Sequence, residues 1–197
     1  MSEETLENIN TSKKQSNASI LVEGGLMVAL AIILNEFVSF HFWPNGGSVS
    51  LGGMVPILLF GYRHGTKWGI LSGLAFSIIN CLLGVQYLKG LTAVIFIGSV
   101  VLDYILPFGI LGLSGMFKGK LKSQGKELLL GSSVCILVRY ISHLLSGYIL
   151  WGDLTNGVWS AIAYTFTYNS SYMIPEWIIS AVILWLIASK APKLLNK

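Results

Sequence analysis

Six ionisable side chains stand within or beside long apolar runs of this chain: Glu23, Glu36, Asp103, Arg139, His143 and Glu176. A charge at the middle of a membrane-spanning helix costs about 2.5–3.5 kcal/mol on insertion scales, so each needs a partner or a function. Arg139 and His143 are four residues apart and share one helical face, and Trp151 follows eight residues later near the same face. At ~1.5 Å per residue from the nearer-loop ends, Asp103 and Arg139 lie about 18 and 17 Å deep, and His143 about 10 Å. Several arrangements satisfy these depths. Asp103 and Arg139 are level and could form a buried structural pair, with His143 bonded to a backbone carbonyl. Alternatively Asp103, His143 and Trp151 form a polar pocket with an aromatic lid. A proton relay of Asp103, Arg139 and His143 is a third arrangement. The pocket has definite chemistry. A carboxylate accepts from an amino or protonated ring nitrogen, an imidazole supplies one donor or acceptor, and aromatic faces attract a desolvated permanent cation by about 2 kcal/mol. That set suits a small aromatic cation. It does not suit catalysis, because no Ser or Cys nucleophile stands with a base and an orienting group. His41, His64 and His143 are scattered, and Cys81 and Cys135 sit inside apolar runs, so no metal-ligand spacing exists. No enzyme activity, metal or cofactor is expected.

The elements that must hold these residues follow from composition. Of 197 residues, 53% are hydrophobic and only 11% charged, against about 25% charged in a soluble domain. Mean hydropathy is +0.69. These values exclude a soluble enzyme, a nucleic-acid reader and a disordered linker, and no glycine-rich nucleotide loop with its own βα unit is present. The pattern predicts an all-α integral membrane bundle of six transmembrane helices. The expected spans are Ala18–Phe40, a short Val49–Tyr62 containing Pro56, Trp68–Tyr87, Leu91–Phe117, Leu128–Leu150 and Tyr172–Ser189, with Pro175 in the first turn of the last. The connections His41–Ser48, the turn near Lys89, and Trp151–Ser171 are read as loops on one side. The opposite side receives eleven of the thirteen Lys and Arg, the side of these three connections receives only Lys89, and Arg139 lies within a span. Positive charge marks the cytoplasm, so both termini are expected there. Residues 1–17 read as a flexible cytoplasmic tail without a signal-peptide core, 18–190 as the transmembrane domain, and 191–197 as a cytoplasmic C-terminal tail.

Trp43, Tyr87, Trp151, Trp159, Tyr164, Tyr168 and Asn169 collect in the outer connections. They form either an interfacial aromatic belt or a ligand cage. In the first helix Gly25 and Ala29 are four apart, and such a small-xxx-small pair lets two helix backbones approach closely. The approach serves either packing within the bundle or docking of a separate membrane subunit.

Four blocks carry a resemblance. They are Asp103-Tyr104-Ile105-Leu106-Pro107, Arg139-Tyr140-Ile141-Ser142-His143 with Ser146-Gly147, Trp151, and Tyr164 with the run Tyr168 to Glu176. With six spans and a small-residue first helix, they resemble the thiamin-specific S components of energy-coupling factor (ECF) vitamin transporters over about residues 20–190. The resemblance implies a high-affinity thiamin-binding subunit in a bacterial plasma membrane, capturing the vitamin from outside. It implies a membrane coupling subunit and two cytoplasmic ATPase subunits as partners. Residue by residue it implies thiamin contacts at Asp103, Tyr104, His143, Trp151, Tyr164 and Asn169, and by looser correspondence at Trp43 and Tyr87. The family's usual acid is Glu, and Asp103 is one methylene shorter. An S component for another small aromatic vitamin and a stand-alone proton-coupled carrier are the alternative readings.

Overall fold

The computed structural model describes residues 15–41, 47–152, 155 and 157–196. Trp43 and the expected tail up to residue 14 lie outside these residues. Helix α1, Asn17–Phe37, begins at Ser16, whose side chain accepts from the Ser19 amide. It buries only one stripe, Ile20, Gly24, Val28 and Ala31, while Leu21, Val22, Leu26, Leu30 and Ile33 are exposed. A helix apolar on every side but packed on one is a lipid-facing span.

A two-stranded antiparallel hairpin follows, β1 (Ser39–Phe40) paired with β2 (Val49–Ser50). Helix α2, Val55–His64, has Pro56 in its first turn, where no amide partner is lost. The expected second span is therefore a strand, a turn and a helix of 10 residues, ~15 Å long. All its residues from Val55 to Tyr62 are buried, so protein surrounds it on every side. The chain from β2 to α2 runs antiparallel to α1 between the same two levels. Ser50 pairs with Ser39 at one level, and at the other Arg63 and His64 meet Glu23 at 2.5 and 3.0 Å.

Gly65, at φ 83, makes the tight turn into α3, Thr66–Leu83. A 3-10 turn over Val85–Leu88 leads to α4, Ala93–Phe117. Within α4 the residues Val100–Ile105 are π-helical, and the Leu106 amide reaches back to the Val101 carbonyl. Pro107 explains the widening: it offers no amide to the Asp103 carbonyl and its ring crowds that oxygen. Helix α5 spans Gln124–Ile149 and α6 spans Val158–Lys190. Among the described residues, α1, α3, α4, α5 and α6 are the five helices long and apolar enough to cross a membrane.

The sixth predicted span is the main correction. Helix α6 has 33 residues and starts at Val158, so Tyr164, Tyr168 and Asn169 lie on a helix, not in a loop, and Pro175 lies inside it. A final 3-10 turn, Pro192–Leu195, buries Leu195 against the bundle. Gln124 and Asn196 are hydrogen-bonded at 2.9 Å, and Lys118 donates to the carbonyls of Tyr62 and Arg63 at 3.1 Å each. Both ends of the described chain thus gather at the Arg63 end.

The close helix approaches are not on α1. A Cβ on Gly112 would overlap the Gly69 backbone, and one on Gly61 or Gly69 would strike the Gly112 carbonyl. Nothing lies within 4 Å of a Cβ placed on Gly25. Gly112→Val is therefore expected to lower stability by about 1–3 kcal/mol or more, since the obstacle is backbone, whereas Gly25→Val leaves the thermal midpoint in detergent unchanged.

Candidate functional site

A cavity of ≈ 410 Å³ opens at the hairpin end of the bundle, between α1, α3, α4, α5 and α6. Its polar lining includes Asp103, carried on the π-helical stretch of α4. Ser146 Oγ donates to Asp103 Oδ2 at 2.7 Å. His143 Nδ1 stands 3.3 Å from Asp103 Oδ1, and Arg139 Nε donates to His143 Nε2 at 3.4 Å. Since Nε2 accepts, Nδ1 carries the proton and donates to the carboxylate, which defines one neutral tautomer.

Asp103 and Arg139 do not form the level ion pair that depth alone allowed. Arg139 Nη1 instead meets Glu176 Oε2 at 3.3 Å, and Ser50 Oγ donates to Glu176 Oε1 at 2.6 Å. The guanidinium also lies 4.6 Å over the Phe108 ring. Glu176 is 1% exposed and Arg139 6%. The one buried cation of the site is neutralised by α6, and Asp103 is left facing the cavity. Ser142, beside His143, turns away and donates to the Leu102 carbonyl at 2.6 Å, tying α5 to α4.

Helix α6 lays a tyrosine ladder along the wall at i, i+4 and i+8. Tyr164 and Tyr168 stack at 5.9 Å, Tyr168 meets Tyr172 edge-on at 5.7 Å, and Tyr172 meets His143 edge-on at 6.3 Å. Tyr172 donates its hydroxyl to Asn169 Oδ1 at 2.5 Å, and Asn169 Nδ2 donates to the Thr165 carbonyl at 2.9 Å. One Asn169 N–H remains for a ligand. Gly147 of α5 faces Thr165 and Asn169 so closely that a Cβ there would strike Thr165. At the mouth, Trp151 Nε1 donates to Ser99 Oγ at 3.2 Å, and the Tyr168 hydroxyl accepts from the Gly47 amide at 3.3 Å, which ties the chain after the hairpin loop to the wall. The Tyr104 hydroxyl donates to the Gly84 carbonyl at 3.4 Å.

The cavity brings together seven of the eight residues singled out in the sequence as ligand contacts: Tyr87, Asp103, Tyr104, His143, Trp151, Tyr164 and Asn169. The eighth, Trp43, is outside the described residues. Asn35, Glu36, Asn80, Ser146, Thr165 and Tyr172 also line it, and sequence reasoning did not assign them there. The i+4 spacing of Tyr164, Tyr168 and Tyr172 is a usable signal, obscured where the expected loop Trp151–Ser171 gives way to the expected span at Tyr172. Gly25 and Ala29 lie far from the cavity, exposed on α1, beside a shallow apolar groove that includes Val28, Leu71 and Ala75.

The thiamine transporter protein family (Thia_YuaJ) has a model that matches residues 21–196 of this sequence. The chain belongs to that family. It is 35% identical over 187 residues to the thiamine transporter ThiT of Bacillus subtilis (strain 168), covering 89% of this chain and 93% of that protein. Its fold is that of the solved ThiT structure from Listeria monocytogenes, with a TM-score of 0.71 and 22% identity over 93% of this chain and 100% of that one.

Removing one partner of a buried ion pair costs about 3–5 kcal/mol. Glu176→Ala, which strands Arg139, is expected to lower the thermal midpoint by more than Asp103→Asn, whose carboxamide oxygen still accepts from His143 while its NH2 can donate to the Ser146 hydroxyl. A larger loss in Asp103→Asn would mean that Asp103, not Glu176, balances the guanidinium.

Proposed function

We propose that this chain is the thiamin-binding S component of an ECF-type importer, a binding subunit and not an enzyme, working with a membrane coupling subunit and two cytoplasmic ATPase subunits. The observation that carries the ligand is the juxtaposition of Asp103 and its proton-donating His143 at the floor of a cavity whose walls are tyrosine and tryptophan. Thiamin has an aminopyrimidine that donates to a carboxylate and a permanently cationic thiazolium that favours aromatic faces. The Asp103 carboxylate accepts from the exocyclic amine, His143 orients that carboxylate, Asn169 offers its spare N–H, and Trp151 and Tyr164 flank the mouth. Tyr104 and Tyr87 complete the wall, and Trp43 is a further thiamin contact by correspondence with the family. Membership of the family favours thiamin over another vitamin and a binding subunit over a stand-alone carrier.

The charge pattern supports the orientation. Arg63, Lys118 and Lys126 belong to the end opposite the cavity, and only Lys89 falls in a connection at the cavity end. With positive charge inside, the cavity faces outward and both termini face the cytoplasm. Ligand capture from the outside follows.

Asp103→Asn and His143→Ala are each expected to weaken thiamin binding at least about tenfold, equivalent to 1.4 kcal/mol, with the folded protein retained on size exclusion. Calorimetric titration that finds wild-type affinity in both variants overturns the floor assignment. The exposed, unobstructed face of Gly25 and Ala29 supports a second part of the proposal: a partner helix backbone packs there. Gly25→Trp or Ala29→Trp is expected to abolish co-purification with the coupling subunit and leave thiamin affinity intact. Lost affinity with retained co-purification assigns these residues to the bundle itself.

A further inference from the structure

A second carboxylate lines the cavity. Glu36, in the last turn of α1, stands on the wall made by α1 and α3, whereas Asp103 belongs to the wall made by α4 and α5. Its position is fixed through a chain of amides. Asn80 Nδ2 donates to the Phe76 carbonyl of its own helix at 2.8 Å. Asn80 Oδ1 accepts from Asn35 Nδ2 at 2.8 Å, and the same Nδ2 donates to Glu36 Oε1 at 3.1 Å. Asn80 is 5% exposed, so this is a built support and not a surface coincidence. An amide pair that runs from one helix to another and ends on a carboxylate holds a negative charge without neutralising it.

The charge balance of the cavity makes that charge informative. Its charged lining is Glu36, Asp103 and Arg139. Arg139 is matched by Glu176, and Asp103 faces a neutral imidazole and a hydroxyl. Among the described residues Glu36 makes no ion pair. His41, at the rim, is bonded to the Ser39 hydroxyl at 3.2 Å, and residues 42–46 carry no charged side chain. The lining therefore holds one carboxylate more than the aminopyrimidine requires. In a cleft with low-dielectric walls such a charge acts more strongly than at a free surface.

We propose that Glu36 is the counter-charge for the permanent cation of the bound ligand, and that it makes the cavity select a cationic ring over an uncharged isostere and the free alcohol over its phosphate ester. The inference rests on the thiamin reading above and adds to it the residue that determines charge selectivity.

The test uses the full chain in lipid nanodiscs and calorimetric titration with three probes: thiamin, thiamin monophosphate, and an uncharged thiamin analogue whose ring nitrogen is replaced by carbon. Glu36→Gln keeps the acceptor that Asn35 needs and removes the charge. It is expected to lower thiamin affinity about tenfold, leave the uncharged analogue within about twofold of its original affinity, and narrow the preference for thiamin over its monophosphate. Glu36→Asp is expected to retain the preference. In the unaltered chain, raising ionic strength should weaken thiamin more than the uncharged analogue. Equal losses for thiamin and the analogue would give Glu36 a merely structural role and overturn the inference, as would no loss for either. A failure of the unaltered chain to bind thiamin overturns the function proposed above, whereas equal losses overturn only the assignment of Glu36.

Discussion

A guanidinium in the middle of an apolar bundle must be balanced, and the way Arg139 is balanced governs the rest of the site. Glu176 from α6 and Phe108 from α4 converge on one side chain of α5, and Ser50 from the hairpin strand β2 donates to that Glu176. The desolvation of such a pair is expensive unless the remaining lone pairs are satisfied, and the Ser50 hydroxyl supplies one of the missing bonds. The arrangement has a further effect. Because Glu176 meets Arg139, the Asp103 carboxylate is not consumed by it, and a carboxylate with polar neighbours but no cation is what a basic ligand needs. The acid that balances Arg139 and the acid that faces the cavity are thus on different helices.

The remaining elements position that carboxylate by two different means. Toward the Arg63 end, α2, α3 and α4 approach to backbone contact through Gly61, Gly69 and Gly112, and close packing of this kind resists shear. Toward the hairpin end the same α4 widens into a π-helical stretch ahead of Pro107, which turns Asp103 and Tyr104 into the cavity. A tight seam below and a loosened turn above let one helix serve both as packing core and as cavity wall.

Much of this was legible in the sequence, and the misreadings share one cause. Charged residues in apolar runs marked Asp103, Arg139 and His143, because lipid penalises each of them. The spans α3, α4 and α5 followed from apolar length. The start of α6 did not. Tyr164 to Tyr172 is rich in hydroxyls and amides, which lowers hydropathy, and Tyr164, Thr165, Tyr168, Asn169 and Tyr172 line a cavity. A span that lines a polar cavity loses the very signal by which spans are recognised. The partner of Arg139 was missed for a related reason: depth along separate helices ranks levels but not azimuth, and Glu176 shares a level with Arg139 as well as Asp103 does. Helix α2 has the apolar composition of a span, yet its residues from Val55 to Tyr62 are all buried in protein, a distinction that apolar composition does not make. Glu36 and Asn80 carry no pattern until α1 and α3 are set side by side.

The unbroken helix from Val158 to Lys190 also bears on how such a chain tolerates insertion and deletion. Each residue added to an α-helix turns everything beyond it by about 100°. Tyr164, Tyr168, Asn169, Tyr172 and Glu176 are read from a single rod, so one extra residue between Val158 and Tyr164 would swing either the tyrosines and Asn169 out of the cavity or the helix start out of register. The connection just before Val158, which follows the end of α5 at Ile149, carries no such phase. Length variation among related chains belongs in that connection, and the spacing from Tyr164 to Glu176 is held by helical phase.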